Sequence, residues 1–218
     1  MYHRGKQIIY NILRSSERIF KTDMVYLSHG GSWMSFRQGV SILAGLGTGV
    51  AFAALLDPHT YGVYKYVLAL YGIISAFSFS SGMIASVMAA TATGNEGTVR
   101  AAFIDQLKWG LGPTAISFAI GGYYLFKGDL LFATAMGIVG IATPLISASG
   151  VYIAYLQGKR FFATSAFIES IKNVFISTGL ILTVFYFQSP LAIIGIHFAL
   201  TALSSLGSYY FTMTRVHP

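Results

Sequence analysis

Residues 161–187 read FFATSAFIESIKNVFISTGLILTVFYF. A run of this length, built mostly from apolar and small residues, crosses about 30 Å of hydrocarbon as an α-helix rising 1.5 Å per residue. It carries two charges, Glu169 and Lys172, three residues apart and therefore on one helical face. Counted inward from Phe161, Lys172 lies roughly 16 Å deep, close to the midplane. Ser165 and Asn173 flank that face and extend it into a polar stripe. Ionisable groups at such depth are costly, so they face a partner or a hydrated cavity. Two readings stand side by side: a self-neutralising Glu169–Lys172 pair at a helix contact, or a Lys172 that offers its charge to an anionic group in a central cavity.

Working outward, five further apolar runs flank this one: Gly39–Leu56, Val63–Ala90, Leu107–Phe126, Leu130–Leu156 and Pro190–Met213. The 218 residues are 55% hydrophobic and only 10% charged, with a mean hydropathy of +0.65. A water-soluble domain carries about a quarter of its residues as Asp, Glu, Lys and Arg, so that class is excluded. The expected fold is all-α, a polytopic transmembrane bundle of six helices with both termini cytoplasmic. No length remains for a separate soluble catalytic domain, and an enzyme is not expected. The chain has no cysteine, which excludes disulfide scaffolds, thiolate metal sites and cysteine nucleophiles. Neither a cofactor nor a metal is expected.

The net charge of +7 does not imply nucleic acid, because the basic residues follow the hydropathy rather than cluster on a soluble face. With the N-terminus inside, the inner segments hold Arg4, Lys6, Arg14, Arg18, Lys21, Arg37, Arg100, Lys108, Lys159, Arg160 and Arg215. The outer loops hold only Lys65 and Lys127. This is the bias of an inner-membrane protein. The polar head places its first long apolar run too far along for a signal peptide. Residues 1–32 form a basic N-terminal segment in which Ile8, Ile9, Ile12, Leu13, Ile19 and Phe20 recur at roughly helical spacing, as in a helix on an anionic membrane surface or a solvated basic tail. His29-Gly30-Gly31 is expected to break the chain before residues 33–218, the six-helix lobe.

Short links such as Asp57-Pro58-His59-Thr60, Lys127-Gly128-Asp129 and Gln157-Gly158-Lys159-Arg160 make neighbouring helices antiparallel. Gly45 and Gly49 sit within an apolar run, where they suit a small-xxx-small packing face rather than a phosphate-cradling loop. Pro113 and Pro144 are natural bends in a bundle that moves, or tolerated kinks in a static one. Arg37, at the inner mouth of the first helix, extends a basic path or simply obeys the positive-inside bias. His197 lies in the outer half of the last helix and is expected to bond a neighbouring helix or to carry a proton. A Ser149–His197 protease dyad is disfavoured, because the two sit about 12 Å apart in depth.

At Leu55-Leu56-Asp57-Pro58-His59-Thr60-Tyr61-Gly62-Val63-Tyr64 the chain resembles the first outer loop of oligosaccharide flippases, the polysaccharide-biosynthesis branch of the multidrug/oligosaccharidyl-lipid/polysaccharide exporter superfamily. Tyr155-Leu156-Gln157-Gly158-Lys159-Arg160-Phe161-Phe162 is similar to that family's inner link between its fourth and fifth helices. The resemblance implies a bacterial inner-membrane transporter that flips an undecaprenyl-pyrophosphate-linked glycan by alternating access. By position, Arg37, Glu169, Lys172, Asn173 and His197 become the candidate substrate-binding residues. Members of the family carry twelve or more helices, so this chain is expected to be the N-terminal lobe. Its implied partners are membrane lipid, the lipid-linked glycan and a second six-helix lobe or a second copy. A small-solute exporter of the same superfamily, or a non-transporting scaffold for envelope glycan enzymes, are the alternatives.

Overall fold

The computed structural model describes residues 24–78, 80–95 and 97–216, so the basic head up to residue 23 lies outside the described residues. Every regular element among them is helical: α1 Met24–Leu55, α2 Pro58–Ala76, α3 Ser80–Ala92, α4 Gly97–Trp109, α5 Leu111–Phe126, α6 Leu130–Ser149, α7 Val151–Gly158, α8 Phe162–Tyr186, α9 Pro190–Phe211 and a π-turn Thr212–Val216. The fold is an all-α helical bundle. Four stretches are long and apolar enough to cross a membrane: Gly30–Leu55, Leu130–Gly158, Phe162–Tyr186 and Pro190–Arg215. The bundle's outside is correspondingly greasy, with Leu43 71%, Val50 69% and Phe126 95% exposed. A protein bathed in water does not present such a surface along its whole length.

Local chemistry sets the helix boundaries. Asp57 caps α2 by accepting from the Thr60 amide at 2.9 Å, and Pro58 at the first helical position needs no amide partner. This bond holds the Asp57 carboxyl below its ordinary value. Asp129 caps α6 through the Phe132 amide at 3.2 Å. Gly128 takes the left-handed conformation in the turn before it. Three of the apolar stretches are divided, at Phe77–Ser78, at Gly110 and at Gly150, which is why nine α-helices rather than six make up the described residues. The polar stretch between the apolar runs Val63–Ala90 and Leu107–Phe126 is mostly helix α4. Pro113 sits in the first turn of α5, where it is tolerated, and Pro144 lies inside α6.

The expected break at His29-Gly30-Gly31 does not occur. Helix α1 runs through it, and the boundary after residue 32 falls inside that helix. Gly30 is covered by the Phe162 ring, 3.4 Å from where a Cβ would stand. Fourteen residues further on, the Ala44 carbonyl accepts from Ser177 Oγ at 2.9 Å. The two contacts advance together along both chains, so α1 and α8 are parallel. Helices α8 and α9 run antiparallel, with Gly179 against Leu200 and Phe167 beside Phe211. Helices α5 and α6 are also antiparallel: Thr114 donates to the Gly140 carbonyl and Ser117 to that of Met136.

Two apolar cores result. One joins α1, α2, α6, α8 and α9 around Phe52, Val67, Met136, Ile193 and Phe198. The other gathers Val87, Val99, Tyr152, Tyr155 and Leu156 from α3, α4 and α7 at the end where α8 begins. Among the described residues α1 packs on α8 and hardly touches the rest. A wedge therefore opens between α1 and α2.

Candidate functional site

Helical spacing puts Gly30, Trp33, Arg37, Ser41, Ala44, Thr48 and Phe52 on one stripe of α1, and all seven are buried or half-buried while the residues between them are largely exposed. This is the stripe that meets α8. Arg37 lies seven residues beyond Gly30, and Glu169 lies seven beyond Phe162, the partner of Gly30. Parallel helices keep such a register, so Arg37 stands level with Glu169.

Glu169 and Lys172 form an ion pair, Oε1 to Nζ 2.5 Å, with side chains only 12% and 14% exposed. The Tyr152 hydroxyl of α7 donates to the same carboxylate oxygen and lies 3.4 Å from Lys172 Nζ. The ammonium also sits 5.8 Å from the centre of the Tyr152 ring. Arg37 is within electrostatic reach of this phenol. The carboxylate is engaged by Lys172 and Tyr152, while Arg37 stands at its level on the neighbouring helix. A low-dielectric surrounding makes such charges more consequential than surface charges of the same size.

Further along the same seam is a groove of about 270 Å³ between α1, α2, α8 and α9. Ser41, Thr48, Asn173 and Ser177 line it from α1 and α8, while Tyr61 and Lys65 line it from α2. Thr48 and Ser177 share a hydrogen bond across the helix pair. His197 closes the groove from α9 and is held by Tyr64, hydroxyl to Nδ1 2.9 Å. Lys65 lies 5.5 Å above the Tyr61 ring; it belongs to α2 rather than to a loop, as its sequence position had led us to expect. The groove accordingly offers hydroxyls, an amide and aromatic faces along one wall of an apolar bundle.

Gly45 and Gly49 also line it, and a Cβ at either would meet nothing within 4 Å. The expectation that they form a close-packing face within this chain is corrected: both face open space along the groove. Close approach occurs instead at Gly110, where a Cβ would stand 2.8 Å from Pro144 Cα, and at Gly158, where it would stand 2.7 Å from the Met88 carbonyl.

The five expected site residues divide between two faces. Asn173 and His197 share the groove, whereas Lys172 borders a different, almost wholly apolar cleft between α8 and α9, lined by Phe167, Ile171, Phe175 and Gly207. Glu169 and Lys172 are joined, and Arg37 faces their level. Ser149 donates to the Leu145 and Ile146 carbonyls of its own helix, separate from His197. Tyr152, Tyr61, Thr48 and Ser177 were not singled out from sequence. Thr48 and Ser177 repeat at helical spacing with Ser41 and Asn173, a signal that was readable, but nothing local marks Tyr152 as a carboxylate partner.

Compared with known proteins, the chain matches no protein-family model, no curated protein and no solved structure.

Proposed function

We propose that this chain is one lobe of a membrane transporter that moves a lipid-linked oligosaccharide across a bacterial inner membrane. In this reading the six apolar stretches make six passes, with both termini in the cytoplasm. A second six-helix lobe or a second copy completes the path by alternating access. The resemblance at Leu55–Tyr64 and Tyr155–Phe162 motivates the family, and the orientation follows the Lys and Arg bias.

One observation carries the reading: a hydroxyl-lined groove runs beside α1 and α8, the helix pair that also carries Arg37 and, one to two turns away, the Glu169–Lys172 ion pair. A pyrophosphate needs cationic partners, and sugar hydroxyls need donors and acceptors beside aromatic faces. Because Glu169 engages Lys172, Arg37 takes the anion first, with Lys172 behind it. Asn173, Ser177, Thr48 and His197 meet the sugar.

The test is binding and leaflet translocation of an undecaprenyl-pyrophosphate-linked glycan by the reconstituted chain. Arg37→Gln is expected to weaken binding roughly tenfold, the worth of one charge-assisted contact. Equal binding by wild type and variant would remove Arg37 from the mechanism. A specific observation also favours the scaffold reading: Lys172 and Glu169 satisfy one another without a ligand. Under that reading the wild-type chain binds no lipid-linked glycan at all.

A further inference from the structure

A separate cavity of about 570 Å³ lies at the end of the bundle where α8 begins and α9 ends, away from the Asp57 and Asp129 turns. Arg100, Phe103 and Ile104 of α4 form one wall, and Tyr155, Tyr209 and Met213 form the other. The rings of Phe103 and Tyr209 stack across it, with centroids 4.5 Å apart and planes at 29°. Arg100 is exposed and lies within electrostatic reach of Tyr209. Among the described residues the lining includes no Asp or Glu. The described acid on this wall's helix, Asp105, is 3.9 Å from Lys108. Arg215 in the π-turn adds positive charge at this same end.

We propose that this cavity binds the phosphate of an anionic phospholipid from the leaflet on that side, with Arg100 as the cation that holds it. The volume falls in the range of small-molecule sites and far exceeds a bare phosphate. Its walls divide in the manner of an amphiphile. Arg100 lines the cavity at an exposed position, and a guanidinium presents paired donors to phosphate oxygens. Phe103, Ile104 and Met213 offer apolar area for the first carbons of the acyl chains, from which a free anion gains nothing. Basic pockets between helices at the membrane surface recognise lipid headgroups by this combination. The site shares no lining residue with the groove of His197, so it operates whether or not the chain transports a glycan.

The experiment is a thermal-unfolding titration of the detergent-purified chain with phosphatidylglycerol, phosphatidylcholine or inorganic phosphate. Phosphatidylglycerol is expected to raise the midpoint, with little change from the other two. Arg100→Gln is expected to weaken the phosphatidylglycerol response roughly tenfold. Ile104→Asp, at an exposed position of the cavity wall, should do the same by placing a carboxylate there while Arg100 stays. Lys127→Gln, at the opposite end, should change nothing. Equal shifts with phosphatidylglycerol and phosphatidylcholine would overturn the proposal, as would a full response in both cavity variants. An equal shift with inorganic phosphate would overturn the lipid assignment in favour of a free anion.

Discussion

Arg37 and Glu169 stand at one height on two parallel helices, each seven residues beyond the contact of Gly30 with Phe162. Glu169 is already paired with Lys172 and accepts from Tyr152. Glu169 therefore has its partners on α7 and α8, whereas Arg37 approaches from α1, and the three charged positions are not energetically alike.

Glu169→Gln should be the most damaging change in the cluster. It leaves Lys172 without its partner, and breaking a buried pair from one side costs about 3–5 kcal/mol. Lys172→Met should cost distinctly less, because Arg37 remains to balance the carboxylate and the methionine fills the same volume. Thermal unfolding in detergent measures both. Equal losses would mean that Arg37 does not act on Glu169.

Glycine positions separate packing from openness. Gly110→Ala should destabilise by about 1–3 kcal/mol, since its new methyl meets the Pro144 backbone, which cannot rotate away. Gly49→Ala should stay within about 0.5 kcal/mol of wild type, because it enters open space. The same substitution narrows the groove, so ligand binding should fall where stability does not.

The cap of α2 should respond to acid. Its carboxyl is held below the ordinary value of 3.8 by the Thr60 amide, so the bond contributes fully above that pH and is lost as pH falls through the lowered value. Asp57→Asn keeps an N-cap acceptor and should abolish this acid dependence with little loss at neutral pH. Unfolding midpoints at pH 3 and pH 7 for both proteins test it. An unchanged acid slope in the variant would count against the cap.

Because the chain has no cysteine, single-cysteine labelling reads topology without background. Cysteines replacing Lys127 and Gln188 should react with a membrane-impermeant maleimide on one side of the bilayer, and one replacing Lys159 on the other. Labelling of all three from one side would refute the six-pass arrangement.

The helical character was legible because long apolar runs in a chain this poor in charge have few alternatives. The Glu169–Lys172 pair was legible for a local reason: three residues make one helical turn. Tyr152 was not, since it reaches the carboxylate from another helix 17 residues away and a buried tyrosine carries no pattern of its own. Gly45 and Gly49 misled because small residues permit both close approach and empty space, and only the neighbouring helix decides which. The breaks at Phe77 and Gly150 escaped detection because the hydropathy continues across them. At Gly110 the close approach is to Pro144, a partner distant in sequence.

The charge on Arg37 has an electrical consequence. In a bilayer under voltage, a unit charge carried across the full field gains or loses about 2.3 kcal/mol per 100 mV. A shift of α1 along the membrane normal relative to α8 would carry the Arg37 charge with it, so its equilibrium would depend on the potential.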